Sequence, residues 1–315
     1  MNTANDTQPA RSTPWLNRFA WLNAIATFFL LIAGALVTSH RAGLSVPDWP
    51  NTFGYFMFSF PWSKTVGGIF YEHGHRLIAS SVGLLTVLLC GWLFKTESRP
   101  WVRWLGVGAV GLVIVQGVLG GLTVLHDLPP ALSAAHATLA QTFFCVTITL
   151  AACTGRAWRN DSPICSSRAG MVRFLTAIAT AAVFLQLILG AMIRHSEHGI
   201  AAHIGGGMLV LVTVFVTAVV ILLILGAGGY FRHSLFLALL VIGQVGLGFK
   251  TLAVHIPKNA TESLSQTQIL LPTIHLAIGA LILGVTFALA LRCHRFLEPT
   301  AESGSLPMTP EGASR

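Results

Sequence analysis

Eight apolar runs, each long enough to cross a bilayer, leave this chain very few architectures. They fall at about 18–38, 74–95, 101–125, 132–153, 171–193, 199–225, 233–253 and 270–291. About 20 apolar helical residues cross about 30 Å of hydrocarbon, and backbone inside lipid must satisfy its own polar groups. The runs are continuous rather than alternating, which argues against a strand barrel. Composition agrees: 54% of the 315 residues are hydrophobic and 10% charged, too few charges for a soluble domain of this length. The expected fold is all-α, a polytopic membrane protein of eight transmembrane helices. The polar N-terminal stretch lacks a signal-peptide cleavage pattern and is not an Arg-rich, acid-free transit peptide, so the first run is expected to be retained.

Charge sets the orientation. The net charge of +8 comes from basic residues scattered through short loops, with no basic run of the kind that binds nucleic acid. Thirteen of the nineteen Lys and Arg fall on the side of the N-terminus, the 2–3, 4–5 and 6–7 loops and the C-terminus. Arg41, Lys64, Arg76, Arg194, Lys250 and Lys258 fall on the other. The positive-inside rule places both termini in the cytoplasm and the long loop 39–71 outside. That loop is rich in aromatic residues and proline, too short and broken to span, and suits the membrane interface.

The histidines follow a different rule. Ten of twelve lie at or near the outer side; only His233 and His294 are inside. Three odd-numbered runs carry Gln-x-x-x-Gly near their outer ends, as Gln116/Gly120, Gln186/Gly190 and Gln244/Gly248; the first run keeps Gly34 without the Gln. A histidine follows each of these ends (His40, His126, His195, His255), and each even run then carries another early on: His75, His136, His203 and His275. The unit is a two-helix hairpin used four times, which predicts two pseudo-symmetric four-helix bundles. The expected division is a tail 1–17, a first half 18–155, a linker 156–170, a second half 171–292 and a tail 293–315. Four histidines at matched places are expected ligands, two per half, and histidine is a common haem ligand. A non-haem metal fits less well, because no second or third carboxylate converges with either pair. Position i+4 from each ligand is small (Ala79, Ala140, Gly207, Gly279), room for a flat macrocycle or simply close helix packing.

One feature breaks the repeat. Glu72 stands three residues before His75 on the same helical face, whereas the matching positions hold Ser133, Ile200 and Pro272. Ionisable groups at a membrane helix are costly and functional by default, although Glu72 can also pair with Arg76 at i+4. His73, two residues from His75, points roughly the other way, so the Glu72–His75 face sets a possible proton carrier beside a possible metal ligand. The five cysteines lie in apolar runs or on the cytoplasmic side, so no disulfide is expected in the outer loops, and no Cys-x-x-Cys-His marks covalent haem attachment.

Taken together, Gly43-Leu-Ser-Val-Pro-Asp-Trp-Pro50, Glu72-x-x-His75-Arg76, Gly120-Gly-Leu-Thr-Val-Leu125 with Leu128-Pro-Pro130, His136-Ala with Ala140-Gln141, His203 with its following glycines, and Leu271-Pro with His275 resemble the haem A synthase family. The resemblance runs from the first span through the eighth. It implies an oxidoreductase of the bacterial cytoplasmic membrane that oxidises the C8 methyl of haem O to a formyl group, giving haem A, with oxygen, water and an external electron donor. It implies substrate haem at His75 and His136, haem b at His203 and His275, and Glu72 as the catalytic carboxylate, handling protons or stabilising a cation. Its partners would be haem O, a haem O synthase, the electron donor, oxidase assembly machinery and the bilayer, with homo-oligomerisation left open and no role for nucleic acid. Some members carry a cysteine pair in the first outer loop, which this chain lacks. A bis-histidine iron has no open position for oxygen, so either His75 or His136 leaves it in turnover or oxidation proceeds at the macrocycle edge. The alternatives are a di-haem cytochrome b that only moves electrons, and a haem or quinone transporter.

Overall fold

A computed structural model describes residues 14–225, 229–255 and 263–300. Most of the expected N-terminal tail, the end of the C-terminal tail and the outer Lys258 lie outside the described residues. The described residues are mainly helical: α1 (Pro14–Ser39), α2 (Gly68–Thr96), α3 (Pro100–Leu125), α4 (Pro130–Thr154), the short α5 (Arg156–Asn160), α6 (Ala169–Ser196), α7 (Ile200–Leu225), α8 (Gly229–Ala253) and α9 (Gln266–Phe296). All but α5 are long and apolar enough to cross a membrane, so the all-α polytopic reading holds. Proline sits in the first turn of α3 and α4, where its missing N–H costs nothing. Ser265 and Gln268 form a capping box at the start of α9.

Several helices run a few residues past the expected spans, and two of these extensions bear on the site. The second span begins at Gly68 rather than 74, so Glu72, His73 and His75 lie within the helix and not at its mouth. The ninth helix likewise starts at Gln266 rather than 270 and runs through Pro272. Hydropathy stops a span where charge begins, but in α2 the charges of Glu72 and Arg76 pair with each other, which lets the helix continue outward.

The packing places α1, α4, α6 and α9 against one another at the centre, with α2 and α3 to one side and α7 and α8 to the other. One buried apolar cluster is drawn from α1–α4, including Leu16, Leu89, Phe143 and Leu150. A second comes from α6–α9 and includes Val214, Leu237 and Leu283. A third, of Leu31, Phe144, Ile148 and Ala280, joins α1, α4 and α9. The loop before α6 and the end of α9 pair as two short parallel strands, β1 (Ile164–Cys165) and β2 (Leu297–Glu298). The Ser166 N–H donates to the Glu298 carbonyl at 2.9 Å, and Arg173 donates to the Leu297 carbonyl.

At the same end, Glu97 is 0% exposed just past α2. Arg99 donates to both its oxygens, at 2.9 and 2.8 Å, and Arg159 donates to Oε2 at 2.8 Å. Burial pushes the Glu97 carboxyl up, but the bonds from Arg99 and the two guanidinium charges outweigh it and leave the group below the usual glutamate range. The lowered folded value means that this stability is complete above the unfolded value and is lost as the pH falls through the folded one. Glu97→Ala strands two partly buried guanidinium groups and is expected to cost about 3 kcal/mol. Thermal unfolding in detergent checks both points: the variant should melt lower at neutral pH and show a smaller acid-induced drop than the wild type.

Candidate functional site

The four repeated histidines lie within the first three turns of α2, α4, α7 and α9. These even-numbered spans run in one direction, so the histidines share one end of the bundle. The motif glycines explain why they stand there. A Cβ placed on Gly34 would sit 3.1 Å from His75 Cε1, on Gly120 3.0 Å from His136 Cε1, on Gly190 3.2 Å from His203 Cε1 and on Gly248 3.1 Å from His275 Cε1. Each glycine thus gives its space to the imidazole of the next helix. The glutamines hold the same histidines by the backbone: the side-chain amides of Gln116, Gln186 and Gln244 donate to the carbonyls of His136, His203 and His275 at 2.9, 2.7 and 2.8 Å. Gln186 Nε2 also lies 3.0 Å from His203 Nδ1. Gly190→Val is expected to displace the His203 ring and remove whatever that ring binds. Gly246→Val, which meets nothing within 4 Å, should not; haem content of the two purified variants checks this.

The slot expected beside the small i+4 residues is filled differently in the second set of spans. A Cβ on Gly207 would meet Gln186 Nε2, and one on Gly279 would meet Gln244 Nε2, each at 3.3 Å. These glycines therefore admit the glutamine amides rather than a macrocycle face.

His203 and His275 face each other with ring centroids 6.2 Å apart and planes inclined at 71°. That spacing would admit one metal ion held by both imidazoles, with metal–nitrogen bonds of about 2 Å each. His75 and His136 are within electrostatic range of each other. Nδ1 of His75, His136 and His275 is buried without a hydrogen-bond partner, uncommon for a buried polar atom. Among the described residues no three His, Cys, Asp or Glu converge as a protein-only metal site requires. These observations fit a haem between each histidine pair.

Glu72 is 3% exposed and fully engaged. Arg76 Nη2 donates to its Oε1 at 2.6 Å, and the Val46 N–H to its Oε2 at 2.8 Å. Arg76 also donates to the carbonyls of Val46, Asp48 and Asn51 at 2.8, 2.7 and 3.0 Å. The pair therefore straps the outer loop over the start of α2, and the local pairing reading of Glu72 is realised. The loop is self-supporting: Asp48 accepts from the N–H groups of Phe53 and Gly54, each at 2.8 Å. Burial raises the Asp48 carboxyl, but these amides and the Arg76 charge bring it below the ordinary aspartate value. Trp49 packs on Gly121 so closely that no side chain fits there, and Gly43 packs on Leu128. The motif stretches 43–50, 120–125 and 128–130 are thus one contact surface.

The remaining histidines sort simply. His73 is 2% exposed, with Nδ1 3.2 Å from Thr52 Oγ1 and its ring against Phe60, so it anchors the loop. His40 stacks on Tyr71 at 3.6 Å. His126, His198 and His255 are exposed, and His195 is half-buried. An apolar cavity of about 490 Å³ between α4, α6 and α9, lined by Cys145, Phe184, Phe287 and His294 among others, contains none of the four paired histidines.

Comparisons with known proteins identify the family. The model of a family described as "Cytochrome oxidase assembly protein" (COX15-CtaA) matches residues 17–209. That stretch contains Glu72, His75, His136 and His203 but not His275, whose place rests on its pairing with His203. The chain is similar to the heme A synthase of Shouchella clausii, at 27% identity over 59% of this chain and 61% of that protein. It is also similar to the heme A synthase of Symbiobacterium thermophilum, at 29% over 55% and 57%, and to that of Methylobacterium nodulans, at 33% over 41% and 37%. The chain spans about six-tenths of the length of the first two of these relatives. With the family model covering more than half of its length, the chain belongs to the COX15-CtaA cytochrome oxidase assembly family.

Proposed function

We propose that this protein is a haem A synthase: it takes haem O between His75 and His136 and converts its C8 methyl to a formyl group. In this reading α1–α4 form the reacting half, and α6–α9 hold a haem b between His203 and His275. The observation that carries it is the His203–His275 spacing of 6.2 Å, together with the same glycine–histidine contact on His75 and His136. A haem iron supplies oxygen activation and electron transfer at these sites. The protein's own residues place and shield the ring. The glycines and glutamines fix the histidines, and the loop held by Arg76 covers the outer end of α2.

Glu72 is the only acidic group one turn from a paired histidine in the repeat. Both its oxygens accept hydrogen bonds from fixed donors, which favours a stationary negative charge over a free proton carrier. Such a charge stabilises positive charge developing on the neighbouring substrate carbon, the electrostatic role with the largest effect in many enzymes. The orientation is that of the positive-inside rule, with both termini cytoplasmic and the paired histidines toward the outer side.

The rival, a di-haem cytochrome b, places its haems near opposite leaflets to carry electrons across. Here all four histidines share one end of the bundle, and Glu72 would serve only to anchor the outer loop. Chromatography of haem extracted from the purified protein separates the two. With a haem O synthase coexpressed, haem O or haem A should accompany haem b, and the His75→Ala variant should retain haem b alone. Haem b at both sites, unchanged by coexpression, would contradict the proposal.

A further inference from the structure

A second residue breaks the fourfold repeat, and it is a cation. The position four beyond the motif glycine is Thr38, Val124 and Leu252 in α1, α3 and α8, but Arg194 in α6. Arg194 is half-buried within a membrane-spanning helix. Its Nη2 donates to the Ala35 carbonyl at 2.6 Å and to Ser39 Oγ at 2.7 Å, both on α1. Ser39 Oγ in turn lies 2.8 Å from Thr273 Oγ1, two residues before His275, and Arg194 is within electrostatic range of His275. Among the described residues no ion pair includes Arg194; the pairs formed by Glu72 and Glu97 use other arginines.

A guanidinium carries five donors, and among the described residues Arg194 meets two neutral oxygens through one nitrogen and no carboxylate. A cation inside a membrane helix is costly unless it is paired or faces a polar cavity. An anion that arrives with the ligand would answer that charge. We propose that Arg194 is the anion-binding residue of the His203–His275 site and takes a carboxylate of the haem held there. This rests on the haem reading of that histidine pair. Haem propionates are carboxylates, and Arg pairs with carboxylates through charge-assisted bonds stronger than neutral ones. Through Ala35, the neighbour of the Gly34 that packs on His75, the same guanidinium also ties the haem b site to α1 of the reacting half.

The test is haem transfer from purified protein to apomyoglobin, run with the protein's haem b and with its dimethyl ester. In Arg194→Gln the acid form should leave at least about tenfold faster than from the wild type. The ester, which has no carboxylate to lose, should leave variant and wild type at the same rate. Arg194→Lys keeps the charge but not the fork and should fall between; it carries the test if the Gln variant does not fold. Equal release of the acid form from wild type and variant overturns the assignment. So does an equal acceleration for acid and ester, which would make Arg194 a helix brace only. Haem b content unchanged in His203→Ala would overturn the haem reading itself, and the assignment of Arg194 with it.

Discussion

In Glu72→Gln, haem A formation is expected to fall by a factor of about a hundred or more, with the haem b at His203 and His275 retained. The substitution keeps the size of the side chain and lets its carbonyl oxygen accept from Arg76, so the outer loop stays attached. Arg76 retains three backbone carbonyls in any case, which limits the loss of stability to about 2 kcal/mol. What disappears is the negative charge one turn from His75. Removing one preorganised electrostatic group from a water-poor site costs about a hundredfold to a thousandfold in rate. Glu72→Ala should be as inactive and also loosen the loop, seen as faster proteolysis between residues 46 and 54. A Glu72→Gln protein that makes haem A at the wild-type rate would reduce Glu72 to a loop anchor.

The second large effect is a division between the histidine pairs. His203→Ala or His275→Ala should abolish the low-spin bis-imidazole signal of the haem b site and leave haem O binding at His75 and His136. His75→Ala or His136→Ala should do the reverse. The independence follows from the ring contacts: each ring is set by a different glycine of the helix before it, Gly34, Gly120, Gly190 or Gly248. Magnetic circular dichroism or electron paramagnetic resonance of the four purified variants reads this directly. Loss of both haems in every variant would mean one coupled site.

Much of this was legible in the sequence because membrane constraints are strict. The eight spans follow from hydropathy, and the four paired histidines follow from the hairpin repeat. Hydropathy starts the second span six residues late because a window of hydropathy cannot see that Glu72 and Arg76 neutralise each other. The Gln-x-x-x-Gly pattern was visible, but its purpose was not. The glycine makes room for an imidazole, and the glutamine binds a backbone carbonyl, both about 15 to 30 residues away on another helix. The small i+4 residues suggested a macrocycle slot, and at Gly207 and Gly279 that space belongs to glutamine amides. Arg194 counted in the sequence only as a charge for topology. Its position in the repeat, where the other helices have Thr38, Val124 and Leu252, was the available signal. The Glu97–Arg99–Arg159 cluster was hidden because Arg159 joins it from beyond α4.

The most direct measurement is the haem content of cells that make haem O but no haem A of their own, with and without this chain. Pyridine haemochrome spectra and chromatography of the extract should show formyl-bearing haem A only when the chain is present, and none with Glu72→Gln. Haem O that accumulates unchanged in the presence of the folded, haem b-loaded protein would contradict the account.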